Sequence, residues 1–144
     1  MIPVDANILA YYFIESPFTE LAHQVFAKDK EWMVPPLWQH EFISILLKIA
    51  RQGSQSEADL LTIWENVNAL VEGNEKEVDI QQAFHLAIQH HVSSYDAQYL
   101  VLAQMLDIPL VTEDRKLRQA APDLTISMQD FLKNSEKSEQ ITGH

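Results

Sequence analysis

The sequence predicts a single α/β domain: a central, mostly parallel sheet of four to five strands flanked by helices. Two observations carry this. Short apolar runs alternate along the chain with longer segments whose apolar residues recur at helical spacing. Those short runs are apolar throughout rather than alternating, as in strands covered on both faces. The chain has 144 residues, enough for one domain with a real core and too few for two ordinary ones. The domain is expected to span residues 1–133, followed by a polar, disordered tail over 134–144.

The elements follow in order. Met1 to Val4 is a short apolar run that stops at Asp5 and reads as a buried strand, with Pro3 tolerated near its start. Thr19 to Lys28 is a helix with Leu21, Val25 and Phe26 inward. Trp32 to Val34 reads as a second strand. Pro35 and Pro36 open a long helix that runs to about Arg51 and stops at Gly53. Ser56 caps the next helix, which turns Leu60, Leu61, Trp64 and Val67 inward and ends near Gly73. Val78 is placed in a minor strand. Ile80, Ala83, Phe84, Ala87 and Ile88 repeat at helical spacing. Ser93 or Ser94 caps a helix to about Leu106. Pro109 to Thr112 is a strand, Asp114 to Ala120 a short helix, and Leu124 to Ser127 the last strand.

Composition excludes several classes of function. There is no cysteine, which removes disulfides, thiolate zinc sites and a cysteine nucleophile. Three glycines leave no Gly-rich phosphate cradle. No apolar run approaches the roughly 18–20 residues of a membrane span, and MIPVDANIL lacks the features of a signal peptide, so a cytoplasmic protein is expected. The formal net charge is −11. That argues against holding nucleic acid by charge alone. It leaves room for an enzyme that meets phosphate through a divalent cation, and it favours a basic partner.

In a parallel sheet, ligands bind beyond the carboxyl ends of the strands. Asp5 directly follows the first strand, and Asp114 follows the late strand that Thr112 ends. Glu41 lies in the long helix at the edge of a narrow polar strip, beside Ile45, on a helix expected to be mostly buried, with Ile43 and Leu47 widening the apolar side. Asp96 shares an apolar helical face with Tyr99, Leu100 and Ala103. Each acid taken singly has an ordinary structural reading: a turn residue, a seam charge, a first-turn acid or a helix cap. Four of them expected in one cleft need partners or a metal. An all-oxygen set without cysteine or a spaced histidine pair suits Mg²⁺ or Mn²⁺, and such a site supports phosphodiester hydrolysis.

Four stretches in this order resemble the PIN domain family: VDANIL at Val4–Leu9, HEF at His40–Phe42, SSYDAQYLVLA at Ser93–Ala103 and PLVTEDRKL at Pro109–Leu117. The likeness is strongest to the compact bacterial or archaeal type found as VapC toxins, and it runs from Met1 to about Leu132. It implies a metal-dependent endoribonuclease whose catalytic and metal-binding acids are Asp5, Glu41, Asp96 and Asp114. Asn7, Thr112 and Ser94 would support those carboxylates. The family's last motif is Thr or Ser, any residue, then Asp, which leaves Glu113 as the free position. The resemblance further implies an RNA substrate, a small antitoxin with a basic C-terminal segment, and a homodimer. Lys48, Arg51, Arg115, Lys116 and Arg118 could steer RNA phosphate, or could simply solvate helix faces. Trp32, Trp38 and Trp64 belong to core or dimer surface.

Three alternatives stand beside the toxin reading. A housekeeping RNA-processing PIN nuclease would lack a neighbouring antitoxin reading frame. A non-catalytic PIN module would bind no Mn²⁺. A phosphoacceptor domain would need a second acid beside Asp5 and a lysine ending the last strand, where Ala6 and Ser127 stand.

Overall fold

The computed structural model describes residues 1–134; the tail expected over 134–144 falls, beyond Asn134, outside the described residues. The elements are β1 (Ile2–Pro3), α1 (Ala6–Phe13), α2 (Thr19–Lys28), β2 (Trp32–Met33), α3 (Trp38–Gln52), α4 (Glu57–Val71), α5 (Ile80–His90), α6 (Ser94–Leu106), β3 (Leu110–Val111), α7 (Arg115–Ala120) and β4 (Thr125–Ile126). Residues 128–134 are helical as well.

The α/β class and the parallel pairing hold, but the single sheet of four to five strands does not. Two two-stranded parallel sheets form instead, β1 with β2 and β3 with β4. An isolated parallel bridge between Val4 and Val111 links them. The strands are this short because each apolar run is cut at once by a helix start. Asp5 begins α1 one residue after Val4, and Asp114 begins α7 three residues after Val111. The minor strand expected at Val78 is absent. A single bridge from Val34 to Glu75 takes its place.

Two hydrophobic clusters clothe the strands. One gathers β1, β2 and helices α1 to α4 around Ile8, Leu9, Trp32, Trp38 and Phe42. The other joins α5, α6, β3 and α7 around Leu86, Leu100, Leu110 and Leu117. Trp32 and Trp38 are buried in the first cluster, with Trp64 stacked on Trp38 at 5.5 Å between ring centroids. The Trp38 indole donates to Glu75 Oε1 at 2.9 Å, which ties α3 to the segment after α4.

Helix α3 is less buried than its composition suggests. Trp38, Phe42 and Leu46 face the core, whereas Ile43 and Leu47 are exposed. With Leu61 of α4, also exposed rather than inward, they line a shallow apolar groove between the two helices. Apolar character alone does not say which side of an amphipathic helix finds a neighbour.

Candidate active site

The strands place one helix N-terminus after another at the same edge. Asp5 is the N-cap of α1, and its Oδ1 accepts from the Ile8 N–H at 3.1 Å. Asp114 is the N-cap of α7, and its Oδ1 accepts from Leu117 N–H at 3.1 Å. Glu41 lies in the first turn of α3 and Asp96 in the first turn of α6. All four acids line one cavity of about 660 Å³. The capping and site readings of Asp5 and Asp114 are therefore compatible: one carboxylate oxygen caps, and the other remains for the cavity. Four positive helix ends partly offset the charge that these acids concentrate.

Among the described residues no lysine or arginine lines this cavity. Asp5 is 8% exposed. Burial above all, helped by the charges of Glu41 and Asp96, pushes its carboxyl up to about 7. The Thr112 hydroxyl and the Ile8 N–H oppose that rise by favouring the ionised form. Glu41 is raised by burial and by the charge of Asp96, with the Tyr99 hydroxyl opposing that rise. Asp96 is raised by burial and by the charge of Asp114. The four acids are thus one electrostatic unit.

Thr112 sits where the fourth motif requires it. It is fully buried, and its Oγ1 accepts from the Asp114 N–H at 3.1 Å while its hydroxyl favours the Asp5 carboxylate. One side chain therefore orients two acids. Asn7 is exposed at the cavity wall. Ser94 does not have the supporting place expected of it: it is exposed and outside the cavity lining. Its neighbour Ser93 caps α6, accepting from the Asp96 N–H at 3.0 Å, and its hydroxyl also favours the Asp96 carboxylate. A signal existed, since Ser three residues before an acid is the spacing of a capping box.

Glu113 faces away from the acids. Its Oε1 accepts from the Met128 N–H at 2.8 Å, and its Oε2 lies 3.6 Å from Arg118. Arg118 also donates to the Thr112 carbonyl at 3.0 Å, so it braces the β3–α7 turn. Lys48, Arg51, Arg115 and Lys116 are exposed and do not line the cavity. Glu31 and Glu57, the other acids near the second motif in sequence, are also outside it.

Sequence reasoning gave no role to three cavity residues: His40, Tyr95 and Tyr99. Tyr95 and Tyr99 flank Asp96 on α6, the first exposed and the second 2% exposed. The Tyr99 hydroxyl is buried without a partner in full hydrogen-bonding geometry, although the Glu41 carboxylate and the Ala6 N–H both act on it at close range, as does the charge of Asp5. Burial, reinforced by those charges, pushes the phenol far above its usual range, so it keeps its proton.

The donor set fits a hard divalent cation in kind. It offers four carboxylates, no lysine or arginine in the lining and an unsatisfied buried hydroxyl beside them. Among the described residues, no group of three or more His, Asp or Glu side chains is already arranged to hold an ion.

The PIN domain family model matches residues 2–122. The protein named Ribonuclease VapC3 of Pyrobaculum aerophilum is 33% identical over 125 residues, covering 84% of this chain and 95% of that one. The crystal structure of PAE2754 from Pyrobaculum aerophilum superposes with a TM-score of 0.71 at 23% identity, over 92% of this chain and 94% of that one. That of FitAcB from Neisseria gonorrhoeae gives 0.62 at 16% identity, over 88% and 96%. The structures share the fold, and the family match spans the four acids: the chain belongs to the PIN domain family.

Proposed function

We propose that this protein is a metal-dependent endoribonuclease that hydrolyses RNA phosphodiester bonds, acting as the toxin of a VapBC-type toxin–antitoxin pair. The observation that carries the reading is four carboxylates held at four helix N-termini around one cavity with no lysine or arginine in its lining. The relative named Ribonuclease VapC3 supports the choice of RNA.

Asp5, Asp96 and Asp114, with Glu41, would hold Mg²⁺ or Mn²⁺. Such an ion, when bound, supplies charge neutralisation at the scissile phosphate and a more acidic water. The chain's own groups do the rest. The Thr112 hydroxyl favours the ionised form of Asp5 against the rise that burial causes, and it accepts from the Asp114 N–H. The Ser93 hydroxyl likewise favours the ionised form of Asp96 against burial and the charge of Asp114. Glu41, made more basic by its burial, is suited to take a proton from the attacking water. Asn7 stands at the wall where a substrate hydroxyl or phosphate would pass.

The same negative cavity suits a small antitoxin whose basic C-terminal segment enters it. The exposed apolar stripe Ile80, Phe84 and Ile88 on α5 supports a homodimer. No helix among the described residues is long and apolar enough to cross a membrane; a cytoplasmic site of action accords with an RNA substrate.

The test is cleavage of structured RNA with Mg²⁺ by the wild type, Asp5→Ala and Asp96→Ala, with and without chelator. We expect cleavage by the wild type alone, abolished by chelator. Equal cleavage by all three contradicts the proposal. Absence of both cleavage and Mn²⁺ binding in the wild type favours a non-catalytic PIN module. A neighbouring reading frame for a DNA-binding antitoxin separates a toxin from a housekeeping nuclease.

A further inference from the structure

We propose that Tyr99 is a positioning residue of this site: its hydroxyl, buried and unpartnered beside Glu41, donates to the Glu41 carboxylate when the cavity is filled and fixes that side chain against the other acids. The inference rests on the ribonuclease reading above. Three observations place the hydroxyl there. Tyr99 lines the acid cavity, one turn along α6 from Asp96. Its side chain is 2% exposed, and its hydroxyl oxygen, fully shielded from solvent, has no partner in hydrogen-bonding geometry. The groups that act on it are the Glu41 carboxylate, by charge and as a side-chain neighbour poised to accept from it, then the charge of Asp5, with the Ala6 N–H acting in the opposite sense.

A phenol in an apolar core is ordinarily either hydrogen-bonded or replaced by phenylalanine, because an unpaired buried hydroxyl is destabilising. Tyr99 is a buried member of the second hydrophobic cluster, with Leu86, Leu100 and Leu110, where phenylalanine would serve the packing equally well. The hydroxyl therefore has a use outside the packing, and the cavity is where it points that use. Glu41 is also the acid with most need of an anchor. Asp5 and Asp114 are tied down as N-caps and Asp96 by Ser93, whereas no backbone N–H is bonded to the Glu41 carboxylate among the described residues. A flexible two-carbon stem in a ligand position needs a fixed donor to hold it.

The variant Tyr99→Phe, in the full chain, separates the roles. We expect the metal-free protein to melt at the same temperature as wild type or higher, since only an unpaired hydroxyl is lost. Mn²⁺ affinity by calorimetry should fall about tenfold or more. The turnover number on RNA should fall with little change in KM. In a Glu41→Ala background, adding Tyr99→Phe should change Mn²⁺ affinity no further, because the hydroxyl acts through Glu41. A lower melting temperature with Mn²⁺ affinity retained overturns the inference and makes the hydroxyl structural. So do additive losses in the double variant. A wild type that neither binds Mn²⁺ nor cleaves RNA overturns the ribonuclease reading itself. A wild type that does both and is matched by Tyr99→Phe overturns this inference alone.

Discussion

Asp5 is held in a way that should cost the metal-free protein stability as pH rises, and Asp5→Asn tests this. Its carboxyl moves from 3.8 in the unfolded chain to about 7 in the folded one. A raised folded value means that the folded state keeps a proton the unfolded state has released. The resulting stability is fully present below about pH 4 and lost as pH climbs to about 7. Between pH 5 and pH 8 the loss from this one group is about 2–3 kcal/mol. Asparagine retains the cap on Ile8 and has no such titration. The gap in melting temperature between the variant and wild type should therefore widen in the variant's favour from pH 5 to pH 8. At about 3 °C per kcal/mol for a chain of this size, the widening is about 6–9 °C. Thermal denaturation by circular dichroism at the two pH values, with chelator throughout, measures it. A gap that stays constant, or widens in favour of wild type, refutes the electrostatic description of the cavity. Mn²⁺ added at pH 8 should stabilise wild type and not the variant, because a ligand that binds only the folded state shifts the equilibrium by mass action.

Neighbouring acids in the fourth motif should separate cleanly. Asp114→Asn keeps the α7 cap but loses the charge, and RNA cleavage should fall on the order of 100-fold or more. Glu113→Gln should cleave at the wild-type rate, since a glutamine oxygen can still accept from Met128; similar losses in both variants would mean that the motif is misassigned. Glu113→Ala leaves that N–H unpaired and should cost about 1–3 kcal/mol in urea denaturation without a matching loss of rate. Thr112→Val removes the hydroxyl that joins Asp5 to Asp114; Mn²⁺ affinity by calorimetry should fall about 10–100-fold, and unchanged affinity would remove Thr112 from the site.

The site was legible in the sequence because each acid sits where a strand ends or a helix begins, and those boundaries are punctuated by residue type. Asp5 and Asp114 stop apolar runs. Asp96 interrupts an apolar helical face, and Glu41 opens a helix after two prolines. Sheet extent was not legible, because two paired residues satisfy a strand that the sequence presents as four. Helix α1 escaped notice for a related reason: ANILAYYF is apolar at nearly every position, and a helix covered on most sides has no period to read. Ser93 and Ser94 look alike as candidates, and only the geometry of the cap distinguishes them. Tyr99 was visible only as an apolar neighbour of Asp96, since the unpaired state of its hydroxyl belongs to the tertiary structure.

The most direct measurement is a crystal of the wild-type protein soaked in Mn²⁺, with anomalous scattering recorded at the manganese edge. The proposed site requires a peak within the cavity, bonded to carboxylate oxygens of Asp5, Asp96 and Asp114. A cavity without a peak at saturating Mn²⁺, or a peak held only by acids outside it, would contradict the assignment of these carboxylates as the catalytic metal site.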